Sequence, residues 1–546
     1  MTDTQTTPDA SPTGPRPLKL VTQNNHGRAR LTPAPPEGEL IDSPPFPEAA
    51  RRELGLPVQR TNLRHAMTAI RTKRADVVAE LDNWEDLRAA GAAIKDDVVR
   101  HLDRYLVQLE ESLTRAGTVV HWARDAAEAN RIVVDLVKER LVDEPYQEVV
   151  KVKSMATQEI ELNEALEDAG VAAWETDLAE LIAQLGHDRP SHILVPAIHR
   201  NRGEVREIFT TEMGNYGKPA PADLDSQPVN LANASREHLR EKFMRAHVAI
   251  SGANFAVADS GTLCVVESEG NGRMCLTLAD TLISVVGIEK VVPTFADLEV
   301  FLQLLPRSST AERMNPYTSL WTGPTDGDGP QDMHVVLVDN GRTNVLADPV
   351  GRDALRCIRC SACLNVCPVY EKVGGHAYGS VYPGPIGAVL TPQLRGTASS
   401  VDRSLPFASS LCGACNEVCP VKIPLAELLV HMRHKVVESK KADPLVSAKG
   451  LGLHAEPALM KSASWLFSDG RRWSAALGAE ATVGGKVLGR VTDHFGPLPW
   501  PLSKWTNARD VPMVPDETFR HWFEHRGDRP DAKGREHLAS EEGDAR

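Results

Sequence analysis

Seven of the nine cysteines lie in one short stretch of the chain, and their spacing indicates what chemistry they can do. Cys357, Cys360, Cys363 and Cys367 are followed by Pro368, which gives the pattern C-x2-C-x2-C-x3-C-P. Bacterial ferredoxins bind iron–sulfur clusters through this pattern, with three thiolates on one cluster and the fourth on another. The sequence therefore predicts a protein that carries electrons.

A second run repeats the pattern without its first cysteine. Cys412, Cys415 and Cys419 precede Pro420, and Ser409 stands where the missing cysteine would be. The second cluster then has only three cysteines. Its fourth site is Ser409, a water or partner ligand, or no ligand at all, and in the last case the cluster holds three irons.

The x3-C-P step carries the chain away from its own cluster, so the last cysteine of each run reaches the other cluster. The predicted ligands of cluster one are Cys357, Cys360, Cys363 and Cys419, and those of cluster two are Cys367, Cys412 and Cys415. We expect [4Fe-4S] clusters, with [3Fe-4S] or a non-cysteine fourth ligand as the alternative for cluster two. Structural zinc uses more widely spaced pairs of ligands, and disulfides require an oxidising compartment, so both fit the spacing less well.

Composition narrows the class of protein further. The net charge of −13 over 546 residues argues against nucleic-acid binding, which requires basic surfaces. No apolar run reaches the ~18 residues of a transmembrane helix, and the polar N-terminus predicts no secretory signal. Oxygen-sensitive clusters and reduced thiols indicate a cytoplasmic protein, with peripheral attachment to a membrane through partners left open.

Changes in composition divide the chain into five segments. We predict a flexible arm at 1–58, a helical segment at 59–117 and an α/β domain at 118–345. An iron–sulfur dicluster domain with helical segments follows at 346–440, and a helical C-terminal region with a frayed tail at 441–546. The C-terminal region holds five tryptophans, which predict helices whose apolar faces dock on another domain or subunit: Trp465, Trp473, Trp500, Trp505 and Trp522.

The α/β domain is predicted from strand-like segments that alternate with amphipathic helices, a pattern typical of a parallel sheet. The predicted strands include 119–122, 148–152, 171–174, 192–195, 282–286 and 333–338. Residues 254–258 and 262–267, with a further turn at 270–272, read as hairpins, so we expect an antiparallel portion as well.

Ligands of open α/β sheets bind outside the carboxyl ends of the strands. Polar residues that follow predicted strands are therefore candidates for binding a small carboxylate: Lys153, Ser154, Glu175, Thr176, Asp177, His199, Arg200 and Asn201. Glu267 and Glu269 are candidates for a carboxylate nucleophile or base. Helix caps and solvated loop ends explain these residue types equally well, and no catalytic residue is assigned.

Three further features carry predictions of their own. A glycine-rich loop at 374–387 suits close approach to a cluster or partner, and its His376, Tyr378 and Tyr382 could tune a cluster by hydrogen bonds to sulfur. Cys264 and Cys275, outside the cysteine runs, are expected to be core residues. Neither a dinucleotide-binding glycine motif nor a P-loop is present, which argues against a self-sufficient dehydrogenase.

These residues together resemble the lactate utilisation protein B family, the LutB-type iron–sulfur proteins. Besides the cysteine runs, the matching stretches are 148–155, 251–255, 259–262, 286–293, 374–387 and 410–415. The resemblance implies a LUD domain, related in fold to the NagB, ribose-phosphate isomerase and CoA-transferase group, followed by a two-cluster module. It also implies L-lactate oxidation to pyruvate with co-encoded A-type and C-type subunits.

Three functions are compatible with these residues and this resemblance. The first is an electron-transfer subunit of a lactate-oxidising complex, an oxidoreductase component whose electrons reach a carrier such as the quinone pool. The second is a ferredoxin-like adaptor for another 2-hydroxy-acid or glycerol-phosphate dehydrogenase. The third is a LUD-domain enzyme acting on a phosphorylated or CoA-linked acid.

Overall fold

The structure, a computed structural model, describes residues 43–442, 455–476, 494–495, 511–512 and 519–526. The chain divides into two compact units, Met1–Lys440 and Lys441–Arg546, and each is considered by itself. Within the described ranges, no helix combines the length and apolar character needed to cross a bilayer. Residues 1–42 of the predicted arm lie outside these ranges.

A six-stranded parallel sheet is the centre of the first unit. Its strands are β1 (Val119–Ala123), β2 (Glu148–Lys151), β3 (Ala172–Glu175), β4 (Val248–Ser251), β7 (Thr281–Gly287) and β10 (Asp332–Val338), in the spatial order β1-β10-β7-β4-β2-β3. All neighbours pair in parallel. Every residue of β7 is buried, as expected of a parallel sheet covered on both faces. The predicted α/β fold is confirmed.

A second, smaller sheet supplies the predicted antiparallel portion. It consists of β5 (Phe255–Val257), β6 (Thr262–Glu267), β8 (Val291–Val292) and β9 (Tyr317–Trp321), in the order β8-β5-β6-β9. Strand β6 pairs antiparallel with both β5 and β9, whereas β5 and β8 are parallel. The hairpin of β5 and β6 is therefore present as predicted.

The helices of the α/β domain cover the main sheet or extend its ends. They are α3 (Trp84–Arg100), α4 (Leu102–Arg115), α5 (Ala126–Arg140), α6 (Met155–Glu159), α7 (Leu162–Asp168), α8 (Leu178–Leu185), α9 (Arg202–Glu212), α10 (Pro228–Phe243), α11 (Asn271–Leu278), α12 (Phe295–Ser309) and α13 (Arg342–Leu346). Residues 84–115 of the segment predicted to be helical, 59–117, form α3 and α4.

Short helices and irregular turns make up the cysteine-rich region. Its helices are α14 (Ala362–Asn365), α15 (Pro368–Val373), α16 (Gly384–Arg395), α17 (Ser400–Ser404), α18 (Ala414–Val418) and α19 (Leu425–Ala442). Together with parts of α3 and α12, these helices enclose one continuous apolar core that includes five cysteines of the two runs. This core places the cysteines beside the α/β domain.

Two N-terminal helices, α1 (Phe46–Leu54) and α2 (Pro57–Ala79), also pack on the cysteine-rich region. Arg71 and Arg74 on α2 donate to the carbonyl oxygens of Asn365 and Val418, at 3.2 and 3.0 Å. The prediction of a flexible arm to residue 58 is therefore wrong for 46–54 and 57–58. Proline-rich flanks suggested disorder there, but Ala49 is fully buried in the core.

Two predicted elements are wrong for identifiable reasons. Residues 192–195 form bends and irregular backbone and not a strand. The ring Nδ1 of His192 accepts hydrogen bonds from the backbone N–H groups of Leu194 and Val195. These N–H groups are then not available for hydrogen bonds to a neighbouring strand. The predicted turn at 270–272 instead begins α11. The Glu267 carboxylate accepts from the backbone N–H groups of Gly272 and Arg273, which stabilises the helix start.

The second unit is described only in part. It has helices at Ala455–Phe467 and Phe519–Glu524 and a strand pair, His494–Phe495 with Val511–Pro512. Trp465 is 61% exposed and Trp473 is 37% exposed within the chain. That exposure is compatible with the predicted docking faces, which stay a prediction. Trp500 and Trp505 lie outside the described residues.

Candidate functional site

Four of the predicted ligand cysteines lie close enough to act on one another. Burial raises the pKa of the Cys360 thiol, and the charges of Cys419 and Cys357 raise it further. Burial also raises the pKa of Cys363, with added effects from Cys357, Cys360 and Cys419. The cysteine from the second run is thus brought to three from the first, which is the set that spacing assigns to cluster one.

The other three cysteines form a second group. Burial raises the pKa of the Cys415 thiol to about 12, and the charges of Cys367 and Cys412 contribute. Cys367 is buried, and its pKa is raised by burial and by Cys412. Cys412 itself is exposed. This is the set predicted for cluster two. It joins one cysteine of the first run, Cys367, to two cysteines of the second run.

Unusual backbone conformations occur between the cysteines of each run. Arg359 and Ser361, between the cysteines of the first run, have φ of 62° and 64°, and Gly413 in the second run has φ of 83°. Left-handed residues make a tight loop that keeps neighbouring side chains on one side. Backbone N–H groups of Arg359 and Ile423 donate to the sulfurs of Cys357 and Cys419, at 3.4 and 3.3 Å.

The two groups of thiols have the features that iron–sulfur clusters require. Six of the seven are buried or partly buried, none forms a disulfide, and N–H donors face the sulfurs, as in proteins that tune cluster potential by hydrogen bonds. The buried thiols of both groups, whose pKa values are raised, are unfavourable as free thiolates, because burial penalises the charged form. Iron would hold them as thiolates and offset that cost.

Cys264 and Cys275 lie outside both groups of thiols, whereas the candidate fourth ligand, Ser409, is three residues before Cys412 in the chain. Burial raises the pKa of Cys264 and of Cys275 to about 12, so both are inert core thiols, in agreement with the expectation for them. Ser409 is partly exposed near the second group, and its hydroxyl accepts from the backbone N–H of Leu411 at 3.1 Å.

The three loop residues proposed to tune a cluster have different roles. Tyr378 is buried beside Cys367 and each affects the other's pKa, although the hydroxyl makes no hydrogen bond of ordinary geometry. Tyr382 donates to Glu159 in the α/β domain at 2.5 Å. His376 bonds to the carbonyl oxygen of Arg189 at 2.7 Å. Two of the three side chains therefore bond to the α/β domain, and Tyr378 is the one that lies beside a thiol.

A cavity of about 340 Å³ opens at the carboxyl ends of five adjacent strands of the main sheet. Each strand is followed by a residue in the cavity wall: Lys153 and Ser154 after β2, Asp177 after β3, Asn254 after β4, Lys290 after β7 and Arg342 after β10. Glu267, the last residue of β6 in the second sheet, and Glu269, two residues later, also line the wall. This is where ligands bind in open α/β sheets.

The cysteine-rich region contributes to the same cavity through Arg359 and Tyr382. Arg359 lies between Cys357 and Cys360 in the chain, and its guanidinium donates to Glu289 at 3.0 Å while lying 4.7 Å from the centre of the Tyr382 ring. The cavity wall is thus shared between the α/β domain and residues 357–363, which we call the cluster-one loop.

A network of buried charges supports the wall. Arg342 is 2% exposed and bridges Glu159, at 2.8 Å, and Glu289. The charges of Arg342 and Arg359 hold the pKa of Glu289 well below its usual range, against the opposing effect of burial. Lys95, on α3, donates to the backbone oxygen of Val291 at 3.2 Å.

The acidic residues of the wall, Glu267 and Glu269, have raised pKa values. Burial raises the pKa of Glu267, although the N–H groups at the start of α11 oppose the shift. Glu269 is exposed as a whole residue, yet burial of its carboxyl and the charge of Asp177 raise its pKa to about 7. Its carboxylate accepts from the backbone N–H of Leu178 at 3.0 Å.

Only part of the predicted carboxylate-binding set reaches the cavity. Lys153, Ser154 and Asp177 do, whereas Glu175 forms a buried ion pair with Lys151 at 2.7 Å. Thr176 bonds to the carbonyl oxygen of Lys151 at 2.9 Å.

The predicted ligand-binding residues His199, Arg200 and Asn201 lie outside the cavity wall. His199 and Arg200 both bond to Asp188 at 2.7 Å, and Asn201 caps α9 with a full capping box. The expectation for this group rested on a strand at 192–195 that does not form.

Sequence reasoning missed Asn254, Lys290, Arg342 and Arg359. The first three follow strands, so the same rule that selected Lys153 would have found them. Arg359 carried no signal of this kind, because nothing in a cysteine run shows which domain the intervening residues face.

Comparison with protein families follows the same division of the chain. A model described as LUD domain matches residues 106–338, one described as 4Fe-4S dicluster domain matches 353–423, and one described as Lactate utilisation protein B, C-terminal, matches 431–528. An α/β LUD domain followed by buried cysteines of a [4Fe-4S] dicluster domain defines the class of this chain, an iron–sulfur protein.

Relatives identify the particular family. Lactate utilization protein B 1 of Bacillus mycoides is 42% identical, over 89% of this chain and 97% of that protein. Lactate utilization protein B of Bacillus subtilis is 40% identical over 89% and 97%, and the uncharacterized electron transport protein YkgF of Escherichia coli is 40% identical over 88% and 96%. The chain belongs to the lactate utilisation protein B family.

Proposed function

We propose that this chain is the iron–sulfur electron-transfer subunit of a cytoplasmic complex that oxidises L-lactate to pyruvate. The observation that carries the proposal is the arrangement of the two thiol groups. One group is buried beside a cavity of the size that holds small molecules, and the other includes the exposed Cys412. Such an arrangement suits electrons that enter at the buried side and leave at the surface.

The ligand sets remain those given by the spacing. Cys357, Cys360, Cys363 and Cys419 would hold cluster one, and Cys367, Cys412 and Cys415 would hold cluster two. When bound, [4Fe-4S] clusters accept and release electrons one at a time. Lactate oxidation to pyruvate releases two electrons and two protons, so two one-electron centres match the electron count.

The protein's own residues set the conditions for that transfer. The N–H groups of Arg359 and Ile423 that donate to sulfur stabilise the reduced, more negative state. The positive charge of Arg74 lies near Cys360 and Cys419, and its own pKa is lowered mainly by burial. Both effects would raise the reduction potential of a cluster held by these thiols.

Partners complete the proposed complex. We infer that a cysteine-rich A-type subunit and a LUD-domain C-type subunit act with this chain, and that the electrons pass to a carrier that feeds the quinone pool. The names of the relatives, which refer to lactate utilisation and to electron transport, support this inference.

Low-temperature EPR on the anaerobic protein mixed with its co-encoded partners tests the proposal. Signals of reduced clusters should appear after L-lactate is added and should require the partners. Signals obtained with dithionite but never with lactate would contradict the proposal. Glycolate and glycerol 3-phosphate, tested in parallel, would reveal an adaptor for another dehydrogenase if they, and not lactate, reduce the clusters.

A further inference from the structure

Two lysine side chains line the cavity without a hydrogen bond or ion pair to any described residue. Lys153 follows β2 and Lys290 follows β7, and both are partly buried. The neighbouring Arg342 and Glu289 are paired with each other. Glu289 acts on Lys290, and Glu269 and Glu180 interact with Lys153, but neither lysine has a direct ion pair, and an anionic ligand would supply one.

Lys290 has a second cation, Arg359, among the charged groups that act on it, and Glu289 and Cys357 are the opposing negative groups. Burial lowers the pKa of Lys290 to about 8, and the positive charge of Arg359 acts in the same direction. Arg359 is 6% exposed, and its Nε–H has no acceptor. A buried donor without a partner costs about 1–3 kcal/mol, so its N–H also indicates a missing acceptor in this wall.

We propose that the cavity binds a small carboxylate of the 2-hydroxy-acid or 2-oxo-acid class, with its carboxylate group held on the side of Lys290 and Arg359. The choice of this acid class rests on the proposed function. The presence of an anion site rests on the unpaired cations alone. The cavity is then the place where the complex holds its substrate or product, beside the loop of cluster one.

The acidic residues of the wall favour a carboxylate over a phosphate. Glu267 and Glu269 can accept a hydrogen bond from a hydroxyl group on the ligand, but they repel a dianion. The side-chain oxygen of Asn254 is occupied by the N–H of Val266 at 2.9 Å, which leaves its amide N–H groups free to donate to a ligand oxygen. A volume of about 340 Å³ lies at the small end of ligand cavities.

A competing explanation is that the cations only offset the thiolates of cluster one. Cys357 does act on Lys290 and on Arg359. A lysine with that role would change iron content or reduction potential when removed, and it would leave ligand binding unaltered. A binding measurement therefore separates the two explanations.

Isothermal titration calorimetry on the full-length, iron-loaded chain under anaerobic conditions provides that measurement. L-lactate, pyruvate and inorganic phosphate are each titrated without the partner subunits. We expect a carboxylate to bind with a Kd of about 1 mM or tighter. Lys290→Gln and Lys153→Gln should weaken binding about tenfold to hundredfold, as expected when a charged hydrogen bond is lost. Lys290→Arg should restore most of the affinity.

Lys218→Gln is the matched control, because Lys218 is about half exposed and pairs with Glu237 at 2.5 Å, outside the cavity. Its affinity and iron content should equal those of the wild type. No carboxylate binding by the wild type, or equal binding by wild type and Lys290→Gln, would overturn the site. Phosphate binding that depends on Lys290, without carboxylate binding, would overturn the carboxylate class.

The binding test and the EPR test fail independently. Carboxylate binding without lactate-dependent reduction would keep the site and contradict the electron-transfer role. Reduction by lactate without binding to the isolated chain would keep that role and move substrate binding to a partner.

Discussion

The guanidinium of Arg359 donates to the carboxylate of Glu289 at 3.0 Å, and both residues are more than 90% buried. Arg359 comes from the cluster-one loop and Glu289 from the end of β7. A buried, charge-assisted contact of this kind fixes the loop against the carboxyl edge of the sheet. Any ligand in the cavity therefore lies against a residue that separates two of the proposed cluster ligands.

Cys363→Ala should remove cluster one. Cys363 is buried among three other thiols, and alanine leaves the cluster one ligand short. We expect iron and sulfide content to fall by about half, since one of two clusters is lost, and turnover with the partners to disappear. Chemical iron analysis and EPR check this, with circular dichroism to show that the α/β domain remains folded.

Cys264→Ala is the control for that variant. Cys264 is fully buried in β6, remote in sequence from both runs, so iron content should not change. Normal iron content and activity in Cys363→Ala would refute the assignment of Cys363 as a ligand.

Ser409→Ala should leave the iron content unchanged. The Ser409 hydroxyl accepts from the backbone of Leu411 and stabilises the turn before Cys412, so its expected role is local. Iron analysis and the EPR spectrum of the oxidised protein measure the effect. A loss of iron from this variant would instead identify the hydroxyl as the fourth ligand of cluster two.

Arg342→Ala should destabilise the first unit strongly. Removal of the guanidinium leaves the buried carboxylates of Glu159 and Glu289 without their principal counter-ion. Breaking a buried pair in this way costs about 3–5 kcal/mol. Urea unfolding followed by circular dichroism gives the free energy difference.

Arg313→Ala provides the comparison, since Arg313 pairs with Glu80 on the surface. Exposed pairs contribute little, so this variant should unfold at nearly the wild-type urea concentration. Equal destabilisation of the two variants would show that the buried network is not important for stability.

Carboxylate binding should weaken as the pH rises from about 7 to about 8. Above pH 7 Glu269, whose pKa is raised to about 7, becomes negatively charged, and above pH 8 Lys290, whose pKa is lowered to about 8, loses its positive charge. Both changes disfavour an anion, so affinity is greatest below pH 7 and falls progressively as the pH rises through 8.

The sign of this effect follows from the positive charge that Lys290 loses, and four charged groups act on the pKa of Lys290. They are Arg359, Glu289, Arg342 and Cys357, and Lys290 in turn acts on Lys95. Calorimetric titrations with pyruvate between pH 6 and pH 9 measure the dependence, which should approach about tenfold per pH unit above the lysine pKa. Affinity that is constant or rises across this range would contradict the assignment of Lys290.

Sequence alone predicted the α/β sheet and the presence of iron–sulfur thiols because both depend on short, local patterns, whereas the assignment of each cysteine to a cluster stays a prediction. The buried run of β7 and the spacing of the cysteines carry their signal within a few residues. Residues 46–54 carried no such signal: their proline-rich flanks suggested disorder, and the helix forms because tertiary contacts bury Ala49.

The cavity was predictable only along one side. Residues such as Lys153 follow strands, and the topology of a parallel sheet brings them together. Arg359 belongs to another domain, and its place in the wall depends on how the cysteine-rich region packs. Gly375 shows how close that packing is, since an added Cβ would lie 1.8 Å from the carbonyl oxygen of Ser191.

The unequal exposure of the thiols determines the order in which oxygen oxidises them. Cys412 is exposed, whereas Cys360, Cys363 and Cys419 are each at most 8% exposed. Dioxygen and peroxide attack the thiolates that they can reach. Oxidation in air should therefore begin at Cys412, in the second group of thiols, before it reaches the partly exposed Cys357 and the buried thiols of the first group.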